Sequence, residues 1–289
     1  MAVDLHLHTT HSDGSYAPKD LVDYVRTFDV NVMAVTDHDD ISGVKEAMER
    51  GRQVGVRVIP GIELSIEFPL QGRAHLHLLG LFIDIENSAL LKVLHYLREA
   101  RRTRAMEIIE RLQKQKIDVR FEELEQVVSG ESIGRPHIAR LLVQKGVVST
   151  VKEAFDRFLG RGAPGFVAKK KLGLAEAIQT IHQARGVAIQ AHPVSLFAKD
   201  FKELTDYLDH FRELGLDGVE AYYSYHPQEL TDFLLQYAAK HHLAVSGGSD
   251  FHGTAKPDIQ PAIGTGHLHI PPEIVPALDG FYAAKYGGK

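Results

Sequence analysis

Short β-like runs that end on a histidine, aspartate or glutamate and give way to a helical pattern recur along this chain, and this alternation constrains the fold most. Val3 to Leu7 reads as a strand ending at His8. A helix then starts at Ala17-Pro18, with Leu21, Val25 and Phe28 on one face, proline being suited to a first helical turn. Asn31 to Val35 is the next strand, followed by Thr36-Asp37-His38-Asp39 and a helix over about residues 42 to 54. Val56 to Ile59 and Ile62 to Ile66 are strand-like runs around Pro60-Gly61, and His75 to Phe82 is another. Three later units are Val187 to Gln190 before Ala191-His192-Pro193, Gly218 to Ala221 before a tyrosine cluster, and Leu243 to Ser246 before Gly247-Gly248-Ser249-Asp250. Strand, loop and helix repeated in this way predict a parallel α/β fold, closed as a barrel rather than left as an open sheet.

The middle of the chain breaks the alternation. From about residue 88 to 115 the pattern is helical and strongly charged, with Leu90, Leu94, Leu97, Ile108 and Leu112 as its apolar marks. Helical stretches follow at Pro136 to Lys145 and Val151 to Leu159, with no strand signal between about 88 and 165. The expectation is a barrel of residues 1–90 and 166–289 interrupted by a helical insertion, 91–165, that contributes to the substrate site.

Composition removes several function classes. The chain has no cysteine, which excludes disulfides, thiolate metal sites and cysteine nucleophiles. Any transition metal must be held by imidazole nitrogen and carboxylate oxygen, a set suited to zinc, manganese or iron. No apolar run approaches the ~20 residues needed to cross a bilayer. The opening MAVDLHLHTTHSDG carries histidine and aspartate where a signal peptide needs an apolar core, so the expectation is a cytoplasmic protein with no membrane partner. A net charge of −5 argues against stable binding of double-stranded DNA.

The segment Asp4-Leu-His6-Leu-His8 places three metal-type residues at alternate positions of a strand, so His6 and His8 can reach one ion and Asp4 can orient an imidazole from behind. Taken alone this could be a pair of surface histidines. Other strand ends carry Asp13, His38, Glu63, His77, His192, Asp250 and His252, and in a β/α barrel such ends gather on one face. Together they predict a metal centre. Spacing does not choose between His75 and His77, nor does it discard Gly266-His267-Leu268-His269. His182, His210, His241 and His242 lie in helical contexts and read as surface or satisfied core residues.

The segments DLHLHTTHSDG, VTDHDD, GIELS, HLHLLG, QAHP and GGSDFHG, in this order from residue 4 to 252, resemble the motifs of the PHP family, named for polymerase and histidinol phosphatase. The first motif is similar to that of the stand-alone phosphoesterases acting on nucleoside 3′,5′-bisphosphates and trimming RNA from its 5′ end. The resemblance implies a distorted seven-stranded β/α barrel with a helical insertion, and two or three divalent ions, Mn²⁺, Fe²⁺ or Zn²⁺. It implies that His6, His8, Glu63 and Asp250 hold one ion, that Glu63 bridges to a second with His77 and His192, and that Asp13, His38 and His252 form a third site. His267 and His269 have no counterpart in the motifs.

A site of that kind hydrolyses a phosphate monoester by attack of a hydroxide held between two cations, with Glu63, His192 and Asp250 as the residues closest to the chemistry. Gly134-Arg135-Pro136-His137 offers a second anion site, because proline in a first helical turn leaves backbone amides free beside Arg135. Arg101, from the basic run Arg98, Arg101, Arg102 and Arg104, is a further candidate for the substrate, or part of a solvated helix face. Related sequences commonly carry a lysine where this chain has Ala163, for which Arg161 or Lys169 can substitute. Tyr222, Tyr223 and Tyr225 either stack on a base or pack at the rim. The substrate implied is a small phosphorylated nucleotide or short RNA; histidinol phosphate hydrolysis and a non-catalytic PHP module are the competing readings.

Overall fold

The computed structural model describes residues 2–70, 72, 74–127 and 133–287. Its strands are β1 (Ala2–Leu7), β2 (Val30–Val35), β3 (Arg57–Glu67), β4 (Leu76–Leu81), β5 (Leu172–Gly173), β6 (Val187–Gln190), β7 (Gly218–Tyr223) and β8 (Ala244–Gly248). They hydrogen-bond in the order β1-β2-β3-β4-β6-β7-β8, with the short β5 paired to β3 off this path. The seven-stranded path is closed at its rim: the amide of Asp250 donates to the His6 carbonyl at 2.9 Å and that of His8 to the Phe251 carbonyl at 3.0 Å. The expected distorted seven-stranded barrel is therefore present.

The distortion has a local cause. The runs on either side of Pro60-Gly61, expected as two strands, form the single eleven-residue β3. It pairs in parallel with β2 through Arg57–Pro60 and then in antiparallel fashion with β4 through Gly61–Ile66. Gly61 sits at the change of partner, where a Cβ would lie 2.8 Å from the Thr36 methyl and 2.9 Å from the Val35 carbonyl. With no crossover helix between β3 and β4, the chain turns straight back, so β4 runs against β3 and β6. This corrects the all-parallel expectation, and it has a consequence for the site. His77 lies near the start of its strand, yet that start is at the end of the barrel where the other strands finish.

Helices α1 (Pro18–Arg26), α2 (Val44–Val54), α7 (Leu174–Gln183), α8 (Phe201–Glu213) and α9 (Gln228–His241) cover the barrel, and α10 (Ile274–Tyr286) follows the last loop. One apolar cluster joins Leu21, Val25, Ile178, Ile181, Phe211 and Leu234 of these helices to Met33, Val35 and Val219 of the strands. A second joins Val3, Leu5, Ala34, Ile59 and Ile189 to Ile274 and Leu278 of α10. Strands β2, β4 and β6 thus feed both layers by alternation.

Between β4 and β5 the described residues hold no strand. Instead α3 (Ser88–Lys114), α4 (Phe121–Val127), α5 (Arg135–Gln144), α6 (Val151–Ala154) and a π-helical turn (Phe155–Leu159) follow one another. Asn87 starts α3 by accepting from the amides of Ala89 and Leu90. Leu90, Leu94 and Leu97 pack on the barrel, whereas Ile108, Ile109 and Leu112 of the same helix enter a separate cluster with Leu124, Ile138, Leu142 and Leu159. One helix therefore belongs to both cores, which fixes the insertion against the barrel mouth. No described helix is long and apolar enough to cross a membrane.

Barrel closure depends on close approach of β8 to β1. A Cβ on Gly248 would lie 2.2 Å from the His6 Cβ. Gly248→Ala should therefore lower stability by about 2 kcal/mol or more, read as a lower thermal midpoint, with a parallel loss of bound metal because His6 is displaced.

Candidate metal centre

β1 carries one residue more than its partner between Asp4 and Leu7: Asp4 pairs with Met33 but Leu7 with Val35. Asp4 consequently shares the face of Leu7, and His6 and His8 point the other way. The expected contact between Asp4 and an imidazole is not made. Asp4 instead accepts from the Ser249 amide at 2.9 Å, the Ser249 hydroxyl at 2.6 Å and the Ala262 amide at 2.7 Å, and so holds the loop that carries Asp250. Burial pushes its carboxyl up to about 6, against the pull of those donors.

The remaining ligand-type residues lie close together around Glu63. Glu63, buried in mid-β3, is the centre of the cluster. Its Oε2 lies 3.4 Å from His6 Nε2, 3.3 Å from His8 Nε2 and 2.8 Å from His38 Nδ1, and its Oε1 lies 2.8 Å from His77 Nδ1 and 2.9 Å from His192 Nε2. Asp250 Oδ1 is 3.6 Å from His6 Nε2 and 3.3 Å from His8 Nε2. Asp13 Oδ1 is 3.1 Å from His252 Nε2, and its Oδ2 is 4.0 Å from His38 Nε2. His6, His8 and Asp250 form one set whose ligand atoms lie within 4.8 Å of one another, and His8, Asp13, His38 and His252 form another. His75 is also drawn in, as a set with His77 and His192.

Glu63 Oε1 is within hydrogen-bond distance of His77 and His192, but several of the other atoms approach without pairing. His6 Nε2, His8 Nε2, His38 Nδ1, Glu63 Oε2 and Asp13 Oδ1 are buried and have no hydrogen-bond partner. Orphaned buried polar atoms are costly, and five of them aimed at one space are the pattern that cations bound among them would satisfy. The donor set is nitrogen and oxygen only, which fits zinc, manganese or iron. Charge agrees with this. Burial alone would raise Glu63, but His38, His77 and His6 hold its carboxyl well below the ordinary range. Asp250, likewise buried, is held low by Lys256, His252 and His6. The carboxylates of Asp250 and Glu63 in turn raise His8 to about 9 against the effect of burial.

The supporting shell was only partly visible in the sequence. Glu220, in the middle of β7, was missed. Its Oε1 lies 2.9 Å from His6 Nδ1, and its Oε2 accepts from the His192 amide at 2.6 Å. A charged residue between Val219 and Ala221 on an otherwise apolar strand was the available signal. Ser195 lies 2.8 Å from His192 Nδ1, and Asp37 accepts from Thr9 and Ser12, fixing the turn that presents Asp13. Lys256 lies 2.6 Å from Asp250 Oδ2, and the same oxygen accepts from the Tyr223 hydroxyl at 3.0 Å. Tyr223 is thus a buried rim residue, whereas Tyr225 is exposed. His182 is satisfied by Asp217 at 2.8 Å, as its helical context suggested.

A cavity of about 850 Å³ joins this cluster to the helical insertion; Asp13, His38 and His77 line one side of it. Arg101, Arg104, Arg135 and Lys169 line the other. On α3, residues 101 and 104 share the inward face, while Arg102 points away to Glu125. Burial, with Arg135 and Arg101 nearby, pushes Arg104 down to about 10. Arg135, at the first turn of α5, donates to the Leu159 carbonyl at 3.0 Å and lies over the rings of Phe155 and Phe166. His137 is nearly buried, accepts the Gly134 amide on Nδ1, and is lowered to about 4 by burial. Arg161 is exposed and reaches the Gly72 carbonyl at 3.3 Å. His267 and His269 take no part in any of these sets.

The PHP domain matches residues 4–254. The chain belongs to the PHP family. It is 37% identical over 254 residues to the 5′-3′ exoribonuclease Rnm of Escherichia coli, covering 86% of this chain and 84% of that protein. It is 31% identical over 251 residues to the 3′,5′-nucleoside bisphosphate phosphatase of Chromobacterium violaceum, covering 86% of this chain and 87% of that protein. A solved structure of a candidate metal-dependent phosphoesterase from Bifidobacterium adolescentis superimposes with a TM-score of 0.81 at 30% identity, covering 96% of both chains. This PHP protein is accordingly a metal-dependent hydrolase of phosphoric esters.

Partners of metal-bound histidines commonly contribute about ten- to hundredfold in metal affinity. Glu220→Gln should weaken manganese binding by that factor with the fold retained, measured by competition with a chromophoric chelator. Affinity in the unaltered protein should also fall on acidification, because protons and cations compete for the same imidazoles.

Proposed function

We propose that this enzyme removes the 3′-phosphate from nucleoside 3′,5′-bisphosphates such as 3′-phosphoadenosine 5′-phosphate, and trims short RNA from the 5′ end, in the cytoplasm. The observation that carries this reading is one cavity lined both by ligand-type residues Asp13, His38 and His77 and by the largely buried cations Arg101 and Arg104 with the half-buried Arg135 and Lys169. A substrate with one phosphate would use one wall. A substrate with two uses both.

Two or three divalent ions would be held by His6, His8, Glu63 and Asp250, by Glu63, His77 and His192, and by Asp13, His38 and His252, a partition that the overlapping sets His6–His8–Asp250, His6–Glu63–His192, His38–Glu63–His77 and His8–Asp13–His38–His252 support. Bound there, such ions supply an activated water and neutralise charge on the phosphoryl oxygens. The protein's own contribution is positional. Glu63 offers its two oxygens to opposite halves of the cluster, and Glu220 fixes the ring of His6. Asp250 and His192 border the reacting phosphate and are the candidates for handling its protons. Arg135, with Arg101, His137 and the more exposed Arg161, receives the second phosphate.

The names of the relatives from Escherichia coli and Chromobacterium violaceum support a nucleotide or RNA substrate over histidinol phosphate. The complete ligand set speaks against a non-catalytic module. His6→Ala or Asp250→Ala should abolish hydrolysis while circular dichroism shows a retained fold. Arg135→Ala should raise KM for 3′-phosphoadenosine 5′-phosphate by about ten- to hundredfold, the worth of a charge-assisted contact. An equal loss on a simple aryl phosphate, or faster turnover of histidinol phosphate by the unaltered enzyme, would refute the reading.

A further inference from the structure

Asp39 follows the metal-type residue His38 directly, yet it points away from the metal cluster. Its backbone is left-handed, with φ of 51°, and its amide donates to the Glu63 carbonyl at 2.9 Å. The side chain is nearly inaccessible and joins three parts of the molecule. Its Oδ1 accepts from the Ser65 amide of β3 at 2.9 Å. Its Oδ2 pairs with Lys169 Nζ at 2.7 Å and with the Arg101 guanidinium of α3. Arg101 also donates to the His38 carbonyl at 3.1 Å, and Lys169 to the Ser65 hydroxyl at 2.6 Å.

The two cations are held side by side but are not used up. Arg101 is nine-tenths buried and lines the cavity, and its Nε is a buried donor with no partner. Lys169 also lines the cavity, and its ammonium has three protons for the two acceptors it reaches. One carboxylate is thus shared between two cations, with Arg104 adding further positive charge. Burial and Arg101 together lower Lys169 to about 8, Asp39 opposing them, so the pair is under mutual repulsion that an arriving anion relieves.

We propose that Asp39 is a positioning residue that holds Lys169 and Arg101 together as the seat of the substrate's second phosphate. This rests on the bisphosphate reading above and adds to it the barrel-side lysine and the carboxylate that aims it. The same two-residue stretch would then serve both ends of the substrate: His38 faces the cations at the reacting phosphate, and Asp39 orders the groups that grip the other. A seat shared by α3 and the segment leading to β5 also ties the insertion to the barrel mouth through one buried carboxylate.

The test uses adenosine 5′-monophosphate, which carries only the second phosphate, as a calorimetric ligand of the manganese-loaded enzyme. Asn keeps the Ser65 hydrogen bond and tolerates the left-handed backbone, so Asp39→Asn should fold. Asp39→Asn and Lys169→Gln should each weaken binding of this nucleotide by about tenfold or more, and the double variant little further, because both changes disrupt one unit. Lys169→Arg should restore most of the affinity. In turnover, the loss should fall on KM for 3′-phosphoadenosine 5′-phosphate rather than on kcat. Unchanged nucleotide affinity in either single variant would overturn the proposal, as would an equal fall in kcat on an aryl phosphate. Preference of the unaltered enzyme for histidinol phosphate, with nucleotide binding still lost in the variants, would remove the substrate reading and uphold the seat.

Discussion

Glu63 is a buried carboxylate with histidine nitrogens at both of its oxygens, and most of the molecule can be understood from what that arrangement requires. A desolvated anion inside a barrel is tolerable only where positive charge or cations meet it. The supply comes from four different strand ends, which have to finish at one level. The switch of partner at Pro60-Gly61 brings the middle of β3 to that level, and the reversal of β4 brings His77 there as well. Closure of β8 on β1 through Gly248 adds Asp250.

The insertion solves a different physical problem. On the proposed reading, cations that receive the second phosphate must be desolvated enough to bind strongly, yet must not collapse onto the carboxylates of the metal centre. The long α3 achieves this by belonging to two hydrophobic cores at once, so that Arg101 and Arg104 are carried on a rigid rod facing the mouth. Backbone carbonyls of Leu159 and Val167 then hold Arg135 and Arg104 in place, with no ion pair to a carboxylate among the described residues. Arg101 differs, because the buried carboxylate of Asp39 pairs with it and with Lys169.

Some of this was legible along the chain because it is local. The strand–loop–helix alternation, the helical interruption and the ligand-type residues at strand ends all depend on spacing within short segments. The choice of His77 over His75 came from the family resemblance, and in the structure His77 is the one set against Glu63. Where local rules failed, a tertiary feature intervened. Alternation placed Asp4 with His6 and His8, but one extra residue in β1 turned it to the opposite face. The orienting carboxylate is Glu220, 214 residues from His6, and no spacing argument connects them. The parallel assignment of β4 failed for a similar reason, since periodicity within a strand carries no information about its direction.

The sequence by itself determined the donor chemistry, nitrogen and oxygen without sulfur, and the barrel class that gathers strand ends. Tertiary structure alone decided which donors face one another, how Glu63 is shared, and which cations share its cavity. The reason is that ligand geometry and electrostatics act through space over a few ångströms, whereas the chain specifies neighbours only along its own length.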